Sequence, residues 1–343
     1  MDLSTTYLGF QLPHPFMAGA SPLTSTVEGV RRLEEAGAAA IVLPSLFEEG
    51  MIGGEIALRS FYSDPEHSTV PPATALGLSP RNYLAHLARV KEAVKLPVIA
   101  SLNGTAPGAW MKLAPVLENE GADALELNLY TFSTEPWESA DTVERRLLEL
   151  VRSIRSSIRI PLAVKLSPFH TSLPNFAREL DHAGASAILL FNRFTPADID
   201  LERLELVRRM ELSSSSELPL RLRWLAVLHG KVSASLGVTG GIHTPEDAVK
   251  AVLTGASGIQ IVSALLEKGI GQLDLIRRGV EDWLRQHRIS ALDDLRGRMS
   301  LLAAPNPKML ERLNYIYNLD SWYGPSPAPP RRRSDTRRSA PAS

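Results

Sequence analysis

Apolar residues in this chain gather into short unbroken runs of five or six. Each run is followed by a longer stretch in which they recur every three or four positions. The first pattern suits a strand covered on both faces, the second a helix packed along one side. In order, the runs are residues 16–20, 39–43, 97–102, 124–129, 161–166, 187–191, 234–238 and 258–262. The stretches between them predict helices. Val27, Val30 and Leu33 follow a capping box, Ser25-Thr-Val-Glu28. Leu84, Leu87 and Val90 mark residues 82–94, and residues 110–117 form the next helix. Leu147, Leu150, Val151 and Ile154 mark a fourth helix, and Phe176, Leu180 and Ala183 a fifth. Residues 220–228 and 270–285 are the sixth and eighth. The seventh is bounded by Thr244, Pro245 and Asp247 at its start and Gly255 at its end. Such alternation implies parallel strands with right-handed crossovers, and eight units favour an α/β, closed (β/α)8 TIM barrel over an open sheet.

Two stretches break the rhythm. Residues 48–80 and 192–217 are polar or turn-rich and too long for plain connectors, so they read as functional loops after strands 2 and 6. Ser213 to Ser216 reads as a loop tip or hairpin turn. Residues 292–313 predict a helical C-terminal extension. From Gly324 the chain carries nothing apolar larger than alanine, and its five arginines read as a solvated, disordered tail. The expected organisation is one domain over residues 1–323 and a tail over 324–343.

Composition narrows the function. With 44% hydrophobic and 22% charged residues in 343, the chain can bury a full core. A net charge of −1 gives no electrostatic case for nucleic acid. No apolar run is long enough for a membrane span, and residues 1–15 lack the features of a signal segment, so a cytoplasmic location is expected. The absence of cysteine excludes disulfides, a catalytic thiol and cysteine-ligated clusters within this chain.

A barrel carries its active site at the carboxyl ends of its strands. Lys165 stands there among apolar neighbours, in Ala163-Val-Lys-Leu166, where a cation needs an anionic partner. That partner is either a ligand or, as a structural ion pair, Glu126 on the adjacent strand. Asn128 and Asn192 end strands 4 and 6, and each amide suits the edge of a planar heterocycle as well as a loop cap. Glu126 also fits a polar layer inside the barrel. Gly240 and Gly241, after strand 7, let a backbone approach a phosphate. His170, His229 and His243 show no metal-ligand spacing, so no metal is expected, and they read as solvated loop histidines.

Phe16-Met-Ala-Gly-Ala-Ser21, Glu126-Leu-Asn-Leu129, Ala163-Val-Lys-Leu-Ser-Pro168, Asn192, Thr239-Gly-Gly-Ile242 and Ile259-Gln-Ile-Val-Ser-Ala-Leu265 together resemble the dihydroorotate dehydrogenase family. The order and spacing match over about residues 1–299, including a helix at residues 290–298. The resemblance implies an FMN-dependent barrel that oxidises dihydroorotate to orotate in pyrimidine biosynthesis. It implies Ala20 and Ser21 against the flavin, Asn103 and Asn128 near it, and Lys165 on the ribityl chain and ring edge. Gly240, Gly241 and Ser263 would hold the phosphate. Substrate would meet Asn128, Ser133, Asn192 and Thr74. The partners implied are a small-molecule substrate, a second copy in a homodimer, and a separate electron-transfer protein.

The substrate half departs from the family. The family's strand 2 lysine falls on Pro44, a substrate asparagine on Thr74, and the cysteine base on Thr131, with Ser133 as the slipped-register alternative. Val262 replaces a glycine before the phosphate-binding hydroxyl, and the strand 6 loop lacks the family's glycine-rich segment. Three readings stay open: a flavin oxidoreductase with an altered substrate site, a non-catalytic flavin-binding subunit of a redox assembly, or a flavin-free phosphate-binding barrel.

Overall fold

The structure, a computed structural model, describes residues 1–47, 79–104, 107–194, 197–207, 210–307 and 314–321. An antiparallel hairpin, β1 (Thr5–Tyr7) and β2 (Phe10–Leu12), comes first. Then follow β3 (Phe16–Ala18), α1 (Val27–Glu35), β4 (Ile41–Phe47), α2 (Pro80–Ala93), β5 (Val98–Asn103), α3 (Pro107–Asn119) and β6 (Ala124–Leu129). The chain continues through α4 (Ala140–Ser157), β7 (Leu162–Leu166), α5 (Leu173–His182) and β8 (Ala187–Leu190). A second hairpin, β9 (Asp198–Asp200) and β10 (Glu205–Val207), precedes α6 (Leu218–Leu228). β11 (Ser235–Thr239), α7 (Pro245–Thr254), β12 (Gly258–Ile261), α8 (Ser263–Lys268) and α9 (Gln272–Gln286) complete the repeats.

The strands β3, β4, β5, β6, β7, β8, β11 and β12 close into one parallel barrel, with β12 pairing back onto β3. These are the eight runs read from the sequence. Side chains alternate across the barrel wall. Leu125, Leu127 and Leu129 of β6 and Leu162, Val164 and Leu166 of β7 join the large core under the helices. Ala124 and Ala163 face inward with Met17, Val42, Ile99 and Ala187. Because successive strand residues point to opposite faces, Glu126, Asn128 and Lys165 share the inward side.

The amino-terminal hairpin, which the apolar runs did not announce, fills the barrel interior from one end. Tyr7, Leu8 and Leu12 pack in the inner cluster. Gly237 and Gly258 make room for Tyr7, since a Cβ on either would stand 2.7–2.8 Å from its ring or hydroxyl. Burial and the charge of Glu126 push the Tyr7 phenol pKa far up, so the ring stays neutral.

Local chemistry sets the helix ends. Thr244 Oγ1 accepts from Asp247 N at 3.2 Å, Asp247 Oδ2 accepts from Thr244 N at 3.1 Å, and Gly255 closes α7 at φ +119°. The first cap lies one residue later than the sequence suggested: Thr26 caps α1, and Ser25 Oγ donates to Pro22 O. The C-terminal extension begins with a 3-10 turn, Leu292–Leu295, not a long helix. Residues 297–301 then bond through Gly297 N, Met299 N and Leu301 N to carbonyls of α7 and α6. This compact unit ends at Ala304, and the unit after it contains α10 (Asn314–Ser321). No described helix is long and apolar enough to cross a membrane.

Two histidines are locked in by packing: His14, and His170, which the sequence suggested as a solvated loop residue. His14 Nδ1 accepts from Phe16 N at 3.3 Å, and His170 stacks on Phe176 with ring centroids 4.5 Å apart. Burial, assisted at His14 by the charge of Arg277, drives both imidazoles down to about 4 from 6.5. Each folded pKa lies below the unfolded one, so this stability is complete above pH 6.5 and is lost as pH falls from about 6.5 to about 4. Thermal unfolding followed across that range should show a falling Tm, and His170→Phe, which keeps the stack, should flatten part of the fall. An unchanged slope in that variant would remove His170 from the account.

Candidate active site

The barrel interior turns polar toward the carboxyl ends of the strands. Lys165 Nζ donates to Glu126 Oε1 at 2.7 Å, with the two side chains only 8% and 1% exposed. Gln260 Nε2 donates to the other carboxylate oxygen, Glu126 Oε2. One level round, Ser45 and Ser101 share a hydrogen bond of 2.8 Å, and Ser101 N donates to Tyr83 Oη at 2.9 Å. The structural ion pair offered as the alternative partner for Lys165 is therefore formed. It supplies one acceptor for an ammonium with three N–H donors, and the described residues offer Lys165 no second one.

Register carries this chemistry across neighbouring strands. Asn103 of β5 pairs with Asn128 of β6, and Asn128 pairs with Lys165 of β7. Three polar residues thus stand side by side at one level. Asn128 is buried, and its Oδ1 has no hydrogen-bond partner among the described residues. A buried amide acceptor left without a donor is costly unless a bound molecule supplies one. This end of the site fits a planar heterocycle with N–H groups on its edge.

At the other end the expected phosphate groups have protein neighbours. Gly240 and Gly241 do adopt consecutive left-handed conformations, at φ +79° and +81°. The close approach they allow is to the chain itself. A Cβ on Gly240 would stand 2.7 Å from the Arg221 guanidinium, and one on Gly241 2.7 Å from Leu218 N. Gly241 N donates to Ser213 Oγ at 3.2 Å, while Ser213 N donates to Ser263 Oγ at 3.0 Å. Two groups assigned to a phosphate are thereby engaged by one serine. Ser213 is buried, so it is not a loop tip; the hairpin of that loop is β9–β10. His243 is buried too, with Nε2 3.4 Å from Ser213 Oγ and Nδ1 3.6 Å from Glu267. Arg221 donates to Thr239 O at 2.5 Å and to Glu217 O at 2.8 Å, and burial lowers its pKa.

The remaining assigned residues are more open. Ala20 packs on the inner cluster, and Ser21 N donates to Thr24 Oγ1 at 3.2 Å at the start of a 3-10 turn. Asn192 N donates to Leu166 O at 2.7 Å, which ties the chain after β8 to β7. Thr131 is half-buried, and its hydroxyl meets no carboxylate or imidazole among the described residues. Ser133 Oγ donates to Glu138 at 2.5 Å and is exposed. Pro44 lies in β4, where the pairing to β5 shifts between Val42 and Ser45. Thr74 lies outside the described residues. The sequence reading missed Ser213, Arg221 and Gln260 as site groups; only Gln260, polar inside an apolar run, carried a signal.

A closed parallel barrel with a charge-paired lysine and an amide row at the carboxyl ends has the architecture of a barrel enzyme, with its polar groups where such enzymes carry their sites. The family described as dihydroorotate dehydrogenase matches residues 76–284, well over half the chain, and this protein belongs to that family of oxidoreductases. Among similar proteins is a dihydroorotate dehydrogenase B (NAD(+)), catalytic subunit, of Thermoplasma volcanium, 28% identical over 86% of this chain and 98% of its own length. A Pyrococcus furiosus protein of the same name is 26% identical over 87% and 98%. An Aeropyrum pernix protein whose name includes dihydroorotate dehydrogenase A (fumarate) is 28% identical over 86% and 97%.

Two stability outcomes follow from these contacts. Replacing Glu126 with Leu leaves the Lys165 charge buried and should cost about 3–5 kcal/mol, while Lys165→Met together with Glu126→Leu should recover most of it. Denaturant unfolding of the two single variants and the pair measures this coupling, and additive losses would contradict it. Gly241→Ala combines a left-handed backbone with a clash at Leu218 and should lose about 1–3 kcal/mol, read as a lower Tm.

Proposed function

We propose that this protein is an FMN-dependent oxidoreductase acting on a CH–CH bond, with a substrate site altered from that of a dihydroorotate dehydrogenase. The observation that carries the reading is the in-register row of Asn103, Asn128 and Lys165, with the buried Asn128 Oδ1 unpartnered. Asn128 accepts from the N–H edge of the ring, and Lys165 lays positive charge along the ring edge and ribityl chain. Ala20 and Ser21 flank the ring. The phosphate goes to Gly240, Gly241 and Ser263, where it must take over the bonds Ser213 now makes. A bound flavin supplies the acceptor for a hydride leaving the substrate.

The proton half of the reaction is weaker. Thr131 stands at the position of the base, and an alcohol without a neighbouring base is a poor proton acceptor near neutral pH. Asn192, Ser133 and Thr74 are the remaining substrate contacts in this reading. The relatives named catalytic subunits support a separate electron-transfer partner, since no cysteine-held cluster can reside in this chain. A homodimer is the assembly we expect.

The purified protein should carry FMN with the absorbance of an oxidised flavin, and Lys165→Ala should lose it. Dihydroorotate under anaerobic conditions should bleach that absorbance slowly or not at all. A protein that neither holds nor takes up FMN would refute the cofactor. Steady dihydroorotate oxidation near an ordinary enzyme rate of about 10 per second, abolished in Thr131→Ala, would refute the altered site.

A further inference from the structure

Three phenylalanines stand on the loops that follow three successive barrel strands. Phe132 comes three residues after β6, Phe169 three after β7 and Phe194 four after β8. The rings meet: Phe132 and Phe194 lie stacked with centroids 6.5 Å apart, and Phe169 meets Phe194 edge-on at 5.0 Å. Exposures of 69%, 63% and 39% show that they cover one another without being covered. A contact group that serves only the core would be buried, as Phe16, Phe176 and Phe191 are. These rings form an aromatic rim above the level of Asn128 and Lys165.

Among the described residues, the charged groups at the same place are already engaged. The one serine of the β6 loop that could substitute for an amide, Ser133, donates to Glu138. The described cations Lys165, Arg193 and Arg221 at these strand ends each lie beside a carboxylate: Lys165 faces Glu126 at 2.7 Å, and Arg193 and Arg221 share Glu217, at 3.4 and 3.6 Å. Among the described residues, a compact ring bearing a carboxylate would meet apolar faces at its edge and no cation without a carboxylate already beside it.

We propose that the rim binds a flat hydrophobic group, aryl or similar, carried next to the oxidisable bond, so that the substrate is an uncharged, apolar carbonyl compound and not a pyrimidine carboxylate. This rests on the oxidoreductase reading above and names its substrate class. Aromatic side chains grip such a group by offset and edge-on ring contacts.

The test uses the purified holoprotein and two probes, orotate and trans-4-phenylbut-3-en-2-one, with binding followed by ligand-observed NMR. The phenyl enone should bind at least about tenfold more tightly than orotate. Phe194→Ser and Phe132→Ser should each weaken it by about tenfold and leave FMN content unchanged, while Phe169→Leu, which keeps an apolar side chain, should weaken it less. Tighter binding of orotate, or phenyl-enone binding indifferent to both serine variants, overturns the proposal. Phe194-dependent binding by a protein that holds no FMN would sustain the rim and fail the cofactor instead.

Discussion

A charge enclosed in a barrel must be neutralised from within, because burial strips it of most of its hydration and every neighbouring side chain is fixed by strand register. Glu126, Lys165 and Gln260 meet that demand on strands β6, β7 and β12. The triplet joins distant parts of the chain around the interior and divides it in two. Toward the hairpin the lining is apolar and filled by Tyr7, Leu8 and Leu12. On the other side stand the amides. The position of the site is thus a consequence of where the polar layer begins.

The eight strands and the helices between them were legible because both kinds of element obey a period. Strand β6 was read to the residue, and α7 with both of its caps. The hairpin β1–β2 escaped, since its three-residue strands, Thr5–Tyr7 and Phe10–Leu12, mix polar and apolar residues and sit in no apolar run like that around β3. The extension after α9 misled for the opposite reason. Leu292 and Leu295 have helical spacing, yet the segment that follows satisfies its backbone on α7 and α6 instead of on itself. In the site, Lys165 and Asn128 declared themselves by polarity within apolar runs. Ser213 and Arg221 did not, for a serine run and an arginine on a helix look solvated until tertiary packing buries them.

The paired glycines after β11 show how one local signature serves two ends. Left-handed backbone at Gly240 and Gly241 lets something come close. The sequence suggested an anion, and the fold also brings Leu218, Arg221 and Ser213 there. Ser213 spans Gly241 and Ser263, accepting from Gly241 N through its hydroxyl and donating to Ser263 Oγ through its backbone N–H, and the guanidinium of Arg221 lies beside Gly240. The loop after β8 therefore belongs to the same end of the site as the strand ends it crosses.

The seam of the barrel has a kinetic consequence. Residues 16–18 pair with residues 259–261, and Asp2 bridges to Ala291, so the wall closes only where the two ends of this unit meet. Every other adjacent pair of barrel strands is separated by far less chain. Closure of the longest loop carries the largest entropic cost and is rewarded only once both flanks exist. A nascent chain can lay down β4 through β8 as an open, twisted sheet, but it holds no enclosed interior until its last strand arrives. The Glu126 carboxylate waits for Gln260 until that moment, so the polar layer is finished by the same event that seals the wall.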